Sequence, residues 1–205
     1  MAEIDSIVGP KIAGIILAAG ESSRLGTPKQ LLLWRGETLL ADVVHLALKS
    51  KLDPIIVVTG YQGLEIGLTL AGFGKILVTV NTHWAEGQGT SIRSGLGLLD
   101  SRKDIDACIF FMSDQPQIPV RLVKKIINKY IHDRPMIVAP RVEGRRGNPV
   151  LFDHSTFKAL RKLEGNEGGR KLFDQYPVTY VEWKDASILI DVDTLDDYQK
   201  LKGLE

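Results

Sequence analysis

Two cations, three carboxylates and a set of glycines are the residues best placed to do chemistry in this chain. Residues 16–32 read ILAAGESSRLGTPKQLL, where a buried-looking apolar run opens into a loop with Gly20, Arg24, Gly26 and Lys29 before apolar residues resume. Glycines let backbone N–H groups approach a ligand closely, and two cations beside them suit a triphosphate. The alternative is a strand–turn–helix connection with solvated charges; Lys29, however, is separated only by Gln30 from the apolar run LLLW, so solvent alone is a weak account of its place. Neither a Walker A loop nor the dinucleotide G-x-G-x-x-G pattern is present. Asp114 follows the apolar run CIFFM at what should be the end of a central strand. A carboxylate there must be paired, hydrogen-bonded or bound to a cation. Mg²⁺ takes one or two carboxylates plus substrate phosphates, and Asp191 and Asp193 in ILIDVDT offer the second. In the competing reading Asp114 caps the helix after QPQIP, and one of Asp191 and Asp193, which strand alternation points to opposite faces, caps the terminal helix.

These residues need a scaffold that brings them together across most of the chain. Short apolar runs recur at Ile12–Leu17, Ile55–Thr59, Ile76–Val80, Cys108–Met112 and Met136–Ala139. They are continuous rather than alternating, as expected of strands covered on both faces. Amphipathic segments lie between them: Leu39 to Leu48 behind Thr38 as N-cap, and Val120 to Tyr130 after Pro119. Alternating strands and helices predict an α/β domain with a mostly parallel sheet. Beyond residue 140, NPVLF, VTYVEW and SILIDVD read as further strands, and TLDDYQKLKG as a helix capped by Thr194. The expected result is a mixed sheet whose second half folds over the first. Residues 1–10 are taken as a flexible leader and 11–205 as one domain. The loops AAGESSRLGTPK, NTHWAEGQGTS, SDQP and DVDT should then meet at the carboxyl edge of the sheet.

Composition bounds the function. The 205 residues carry a formal net charge of +1 with 25% charged residues, which points away from a general nucleic-acid or anionic-membrane binder. No apolar stretch reaches the length of a membrane span. The single cysteine, Cys108, excludes a disulfide framework and a thiolate metal site, reads as a core residue and fits a reducing cytoplasm. No histidine belongs to any of these motifs: His45, His83, His132 and His154 are expected to be structural or solvated, and Trp34 and Trp183 to be core or rim.

Taken together, LAAGESSRLGTPKQLL, FFMSDQP, GRRGNPVLF, GNEGGR and IDVDTLDDY resemble, in order and spacing, the molybdenum cofactor nucleotidyltransferases, particularly the cytidylyltransferase branch. The likeness runs from Ile12 to Tyr198. GTPKQLL is also similar to the cytidylyltransferase of the methylerythritol phosphate pathway, but Asp-Gln-Pro and Gly-Asn-Pro-Val fit the molybdopterin branch better. Ser113 departs from the glycine more usual before the aspartate. The resemblance implies a Rossmann-like nucleotidyltransferase fold in three α/β/α layers and a Mg²⁺-dependent reaction. It implies that Gly20, Arg24, Gly26 and Lys29 hold the triphosphate, beside Leu17, Ala18 and Ala19. It further implies that Gly89, Thr90 and Ser91 lie by the base, and that Asp114 holds the metal. Ala18-Ala19-Gly20 stands where the GTP-using branch has paired glycines, which favours CTP.

For the acceptor, a pterin phosphate, Arg145, Arg146, Gly147 and Asn148 offer one anion pocket, with Gly168, Gly169 and Arg170 a second. A solvated basic turn and a plain helix C-cap are the respective alternatives. Two rival functions stand beside this expectation. One is nucleotidyl transfer to methylerythritol phosphate or a sugar phosphate. The other is a non-catalytic cofactor carrier serving a molybdoenzyme or its chaperone, although a carrier needs no metal–triphosphate site.

Overall fold

The computed structural model describes residues 9–204, so most of the expected leader lies outside the described residues. β1 (Ile12–Ala18) is seven consecutive buried residues. After it come the two-residue strands β2 (Leu33–Trp34) and β3 (Glu37–Thr38), which form a small hairpin. α1 (Leu39–Lys49) starts where Ala41 N–H donates to the Thr38 hydroxyl. The chain continues through β4 (Ile55–Thr59), α2 (Gly63–Leu68), β5 (Ile76–Val80), α3 (Gln88–Gly97), β6 (Ala107–Met112) and α4 (Val120–Asp133). It ends with β7 (Ile137–Val142), β8 (Arg145–Arg146), β9 (Val150–Asp153), α5 (Phe157–Leu160), β10 (Val178–Glu182) and α6 (Leu195–Lys202).

Seven strands form one path in the order β10-β7-β9-β6-β1-β4-β5, with β8 hung on β7. β1 is parallel to both β4 and β6, whereas β9 lies antiparallel between β6 and β7. Alternate β1 side chains feed two cores. Ile12, Ile16 and Ala18 pack with α1 and α4; Ala13, Ile15 and Leu17 pack with α3 and α5. This is the expected three-layer arrangement.

Three expectations need correction. The second half does not fold over the first: β7, β9 and β10 extend the same sheet. β5 is not covered on both faces; as an edge strand it leaves Leu77, Val78 and Val80 exposed. SILIDVD is not a strand. Ala186–Leu189 is a short 3-10 turn, and the Gln117 amide donates to the Ser187 and Ile190 carbonyls at 3.1 and 2.8 Å, doing what a ladder partner would do. No described helix is long and apolar enough to cross a membrane.

At the far end of the sheet the Tyr130 hydroxyl, from α4, donates to Asp153 Oδ2 at 2.7 Å. Burial opposes the Asp153 carboxylate, but hydrogen bonds from Ser155 and Tyr130 outweigh it and hold its pKa below the usual 3.8. A depressed folded-state pKa gives stability that is present above the unfolded value and lost as pH falls through the folded one. The urea midpoint should therefore drop on the acid side of pH ~4, and Asp153→Asn should flatten that slope. Identical acid slopes in the two proteins would refute the assignment.

Candidate active site

The β1, β5 and β6 loops and the segment before α6 meet at the carboxyl ends of the parallel strands. Between β1 and β6 the strand order reverses, since β1 leads outward to β4 while β6 returns on its other side. Open α/β sheets collect ligands at such a point. Here it holds a cleft of two lobes, about 650 and 560 Å³. Leu17, Lys29, Gln88, Met112, Asp114 and Asn166 line both lobes and form their seam. Ala19, Gly20, Glu21, Ser23, Trp84 and Ser91 border one lobe. Phe110, Phe152, Asn148, Gly169, Arg170, Lys171, Asp191 and Asp193 border the other.

Local structure fixes Lys29 at the seam. The chain leaves Pro28 into a 3-10 turn, Lys29–Leu31, and Lys29 N–H donates to the Ser22 hydroxyl at 3.1 Å. Gln30, fully buried, donates its amide to the carbonyls of Ala18 and Gly20, both at 2.9 Å. The loop is thus stapled to the end of the strand it leaves. Lys29 Nζ lies 2.5 Å from Asp114 Oδ2 and 2.9 Å from Asp193 Oδ1, and Arg24 reaches Asp193 Oδ2 at 2.9 Å. Burial disfavours the Lys29 ammonium, but the two aspartates outweigh it and raise its pKa. The hydrogen bond from Lys29, with its charge and that of Arg24, holds the Asp193 carboxyl below its ordinary range. Asp191 is raised instead, first by desolvation and then by the Asp114 charge, while Gln115 donates to its Oδ1 at 2.5 Å.

Neither capping reading holds. α4 begins at Pro119 without a side-chain cap, and α6 is capped by Thr194 with Asp197 in a reciprocal box. Asp114 Oδ1 is buried and has no hydrogen-bond partner among the described residues. Leaving such an oxygen bare is costly. Coordination to a divalent cation would satisfy it, so the residues present fit such an ion. Among the described residues no group of three or more His, Cys, Asp or Glu side chains could hold a metal ion. Asp114, Asp191 and Asp193 are therefore not a preformed trio, and an ion held there would need further ligands such as water or phosphate oxygens.

The structure brings most of the expected residues together and separates others. Leu17, Ala19, Gly20 and Ser91 line the cleft, as do Asn148, Gly169 and Arg170. Ala18 is buried beneath it, and Gly26 sits at the loop's outer turn with φ +69°. Arg145 and Arg146 are exposed on the β7–β8 hairpin and line neither lobe; Arg146 lies over the Phe173 ring instead. Gly147 is buried behind them, its N–H donating to Pro140.

Gly89 and Thr90 also line neither lobe. The Thr90 hydroxyl accepts from Asn81 and donates to backbone, while Gly89 packs on the 163–165 backbone. A Cβ on Gly89 would sit 2.6 Å from the Leu163 carbonyl oxygen. Gly89→Ala should cost about 1–3 kcal/mol by overpacking, read as a lower urea midpoint. An unchanged midpoint would mean that the start of α3 and the 163–165 segment are not in contact.

Gln30, Gln88, Gln115, Gln117, Trp84, Asn166 and Lys171 carry no motif signal of their own. Neutral amides carry no charge pattern, and only adjacency to Lys29 and Asp114 could have flagged Gln30 and Gln115.

Comparison with known proteins bears on what this cleft does. A family model described as the MobA-like NTP transferase domain matches residues 14–180. The nicotine blue oxidoreductase of Paenarthrobacter nicotinovorans is 29% identical over 94% of this chain and 97% of its own. The molybdenum cofactor cytidylyltransferase of Escherichia coli (strain K12) is 29% identical over 90% and 92%. The crystal structure of Rv0371c from Mycobacterium tuberculosis H37Rv superposes with a TM-score of 0.82 at 30% identity, covering 94% of this chain and 98% of that one. A manganese complex of the same protein gives 0.78 at 28%, with the same coverage.

Proposed function

The chain belongs to the MobA-like NTP transferase family, and from that premise we propose that it transfers CMP from CTP to the terminal phosphate of molybdopterin or its molybdenum-loaded form. The observation that carries the reading is the position of Lys29 and Asp114 on the seam shared by the two lobes. A reaction that joins two phosphorylated molecules needs its charge-bearing groups where they meet.

The lobe behind Gly20 and Ser23 takes the nucleotide, with loop backbone and Arg24 and Lys29 at the triphosphate. The apolar-walled lobe of Phe110 and Phe152 takes the pterin, and Arg170 and Lys171 face its phosphate. An acceptor phosphate oxygen attacks the α-phosphorus, a new P–O–P anhydride forms, the α–β bridge breaks, and pyrophosphate leaves with the bond's electron pair. A phosphate monoester has its second pKa near ~6 and is already largely dianionic at pH 7, so the chain need supply no general base. Lys29 and Arg24 hold the phosphates in line and neutralise the leaving group. A divalent cation, Mg²⁺ in this reading, held by Asp114 with Asp191 or Asp193, would supply further charge neutralisation on the phosphates. Cytosine preference is supported by Ala18-Ala19, and work in a reducing cytoplasm by the free, buried Cys108.

Purified protein with Mg²⁺ and molybdopterin would be offered CTP, GTP, ATP and UTP in turn, and pyrophosphate recorded. Release with CTP is expected. Release with GTP alone overturns the base assignment. Release that needs a sugar phosphate or methylerythritol phosphate overturns the acceptor. Silence with every nucleotide alongside tight pterin binding favours a carrier.

A further inference from the structure

The same ammonium that is placed to hold the triphosphate is bonded to the same carboxylates that are placed to hold a metal. Asp114, Lys29, Asp193 and Arg24 form an unbroken row of alternating charge, with contacts of 2.5, 2.9 and 2.9 Å. Their formal charges cancel. Lys29 holds one oxygen of Asp114, and the remaining oxygen is the buried one without a partner. A divalent cation on that oxygen would share a single carboxylate with the Lys29 ammonium, in a site where the Asp114 side chain is only 7% and the Lys29 side chain 16% exposed. Like charges that close and that dry repel strongly. On Asp193 the cation would meet both Lys29 and Arg24.

We propose that Lys29 competes with the divalent cation for Asp114 and Asp193, and that the incoming triphosphate relieves the competition by drawing Lys29 and Arg24 onto itself. The inference rests on the nucleotidyltransferase reading above. The protein without nucleotide then binds the cation weakly, and triphosphate and metal bind as a coupled pair. Coupling is reciprocal: whatever factor the triphosphate adds to metal affinity, the metal adds to triphosphate affinity. Gln30 and Ser22 hold only the backbone of the loop, which leaves the Lys29 side chain free to change partners without unfolding it.

The test is calorimetric titration of MnCl₂ into the full chain without nucleotide, for wild type, Lys29→Met and Lys29→Gln. Each variant is first checked for a wild-type circular dichroism spectrum. Both substitutions should tighten Mn²⁺ binding by on the order of tenfold, within the ~5–150-fold range usual for coupled sites. Adding Asp114→Asn to Lys29→Met should abolish the gain. In wild type, a CTP analogue with a methylene α–β bridge should tighten Mn²⁺ beyond what the free analogue binds. Mn²⁺ affinity that stays the same or weakens in both folded Lys29 variants overturns the competition and leaves the nucleotidyl reading standing. Variants that gain while the analogue has no effect keep the competition and overturn that reading. The analogue arm uses wild type alone, so the coupling is tested even if neither variant folds.

Discussion

Asp114→Asn lowers pyrophosphate release by at least ~10²–10³-fold, the scale on which a lost charge-stabilising group acts in a dry site, and leaves the fold in place. Asparagine keeps the shape and one oxygen but loses the charge that attracts a cation. The fold should survive because Asp114 contributes no helix cap, and because Lys29 keeps Asp193 as a partner at 2.9 Å. Two measurements are needed together: turnover with CTP and molybdopterin at saturating Mg²⁺, and a urea midpoint. Near-normal turnover in a folded variant would remove Asp114 from the metal. Asp191→Asn and Asp193→Asn divide the second carboxylate's role. Asp193 holds Lys29 and Arg24 as well, so its loss should disturb triphosphate affinity, whereas Asp191 accepts from Gln115 at 2.5 Å and forms no ion pair with Lys29 or Arg24 among the described residues.

The architecture was legible because it rests on bulk burial. β1 is apolar along its whole length, so its strand and the loop that follows could be read directly, and the same holds for β6 and Asp114. What could not be read depends on single hydrogen bonds or on which way a loop faces. SILIDVD has the composition of a strand, but the Gln117 amide, about 70 residues away in sequence, takes two of its carbonyls and leaves it outside the sheet. Arg145 and Arg146 belong to a motif that does reach the cleft through Asn148, yet both are exposed on the β7–β8 hairpin and line neither lobe, and Arg146 lies over the Phe173 ring instead. Gly89 and Thr90 follow the same logic. The stretch WAEGQGTS does border one lobe of the cleft through Trp84, Gly87, Gln88 and Ser91. Gly89 packs α3 on the 163–165 backbone, where Gly87 takes φ +110° against Gly165, and the Thr90 hydroxyl is occupied by Asn81, His83 and Gly87. A motif of this kind marks a place in the fold; which of its side chains face the ligand is decided by helical phase and neighbours.

Under the proposed reaction, Lys29→Met removes more than a phosphate contact. Turnover should fall by about 10³–10⁵-fold, by analogy with other cations placed on a transferring phosphoryl group. Stability should fall too, because methionine fills the volume but strands two carboxylates beside each other. Breaking a buried pair from one side costs about 3–5 kcal/mol. Asp193 is 37% exposed and keeps Arg24, so the loss belongs at the low end of that range. A double-mutant cycle separates the charge effect from the packing effect. If the cost comes from uncompensated charge, Asp114→Asn added to Lys29→Met should restore part of the urea midpoint, although each substitution alone lowers it or leaves it unchanged. Purely additive losses would assign the cost to packing. Mn²⁺ or Mg²⁺ should raise the melting temperature of Lys29→Met more than that of wild type, since at one ligand concentration the tighter-bound native state is stabilised more. An equal rise in both proteins would mean that Lys29 and the metal do not contend for the same oxygens.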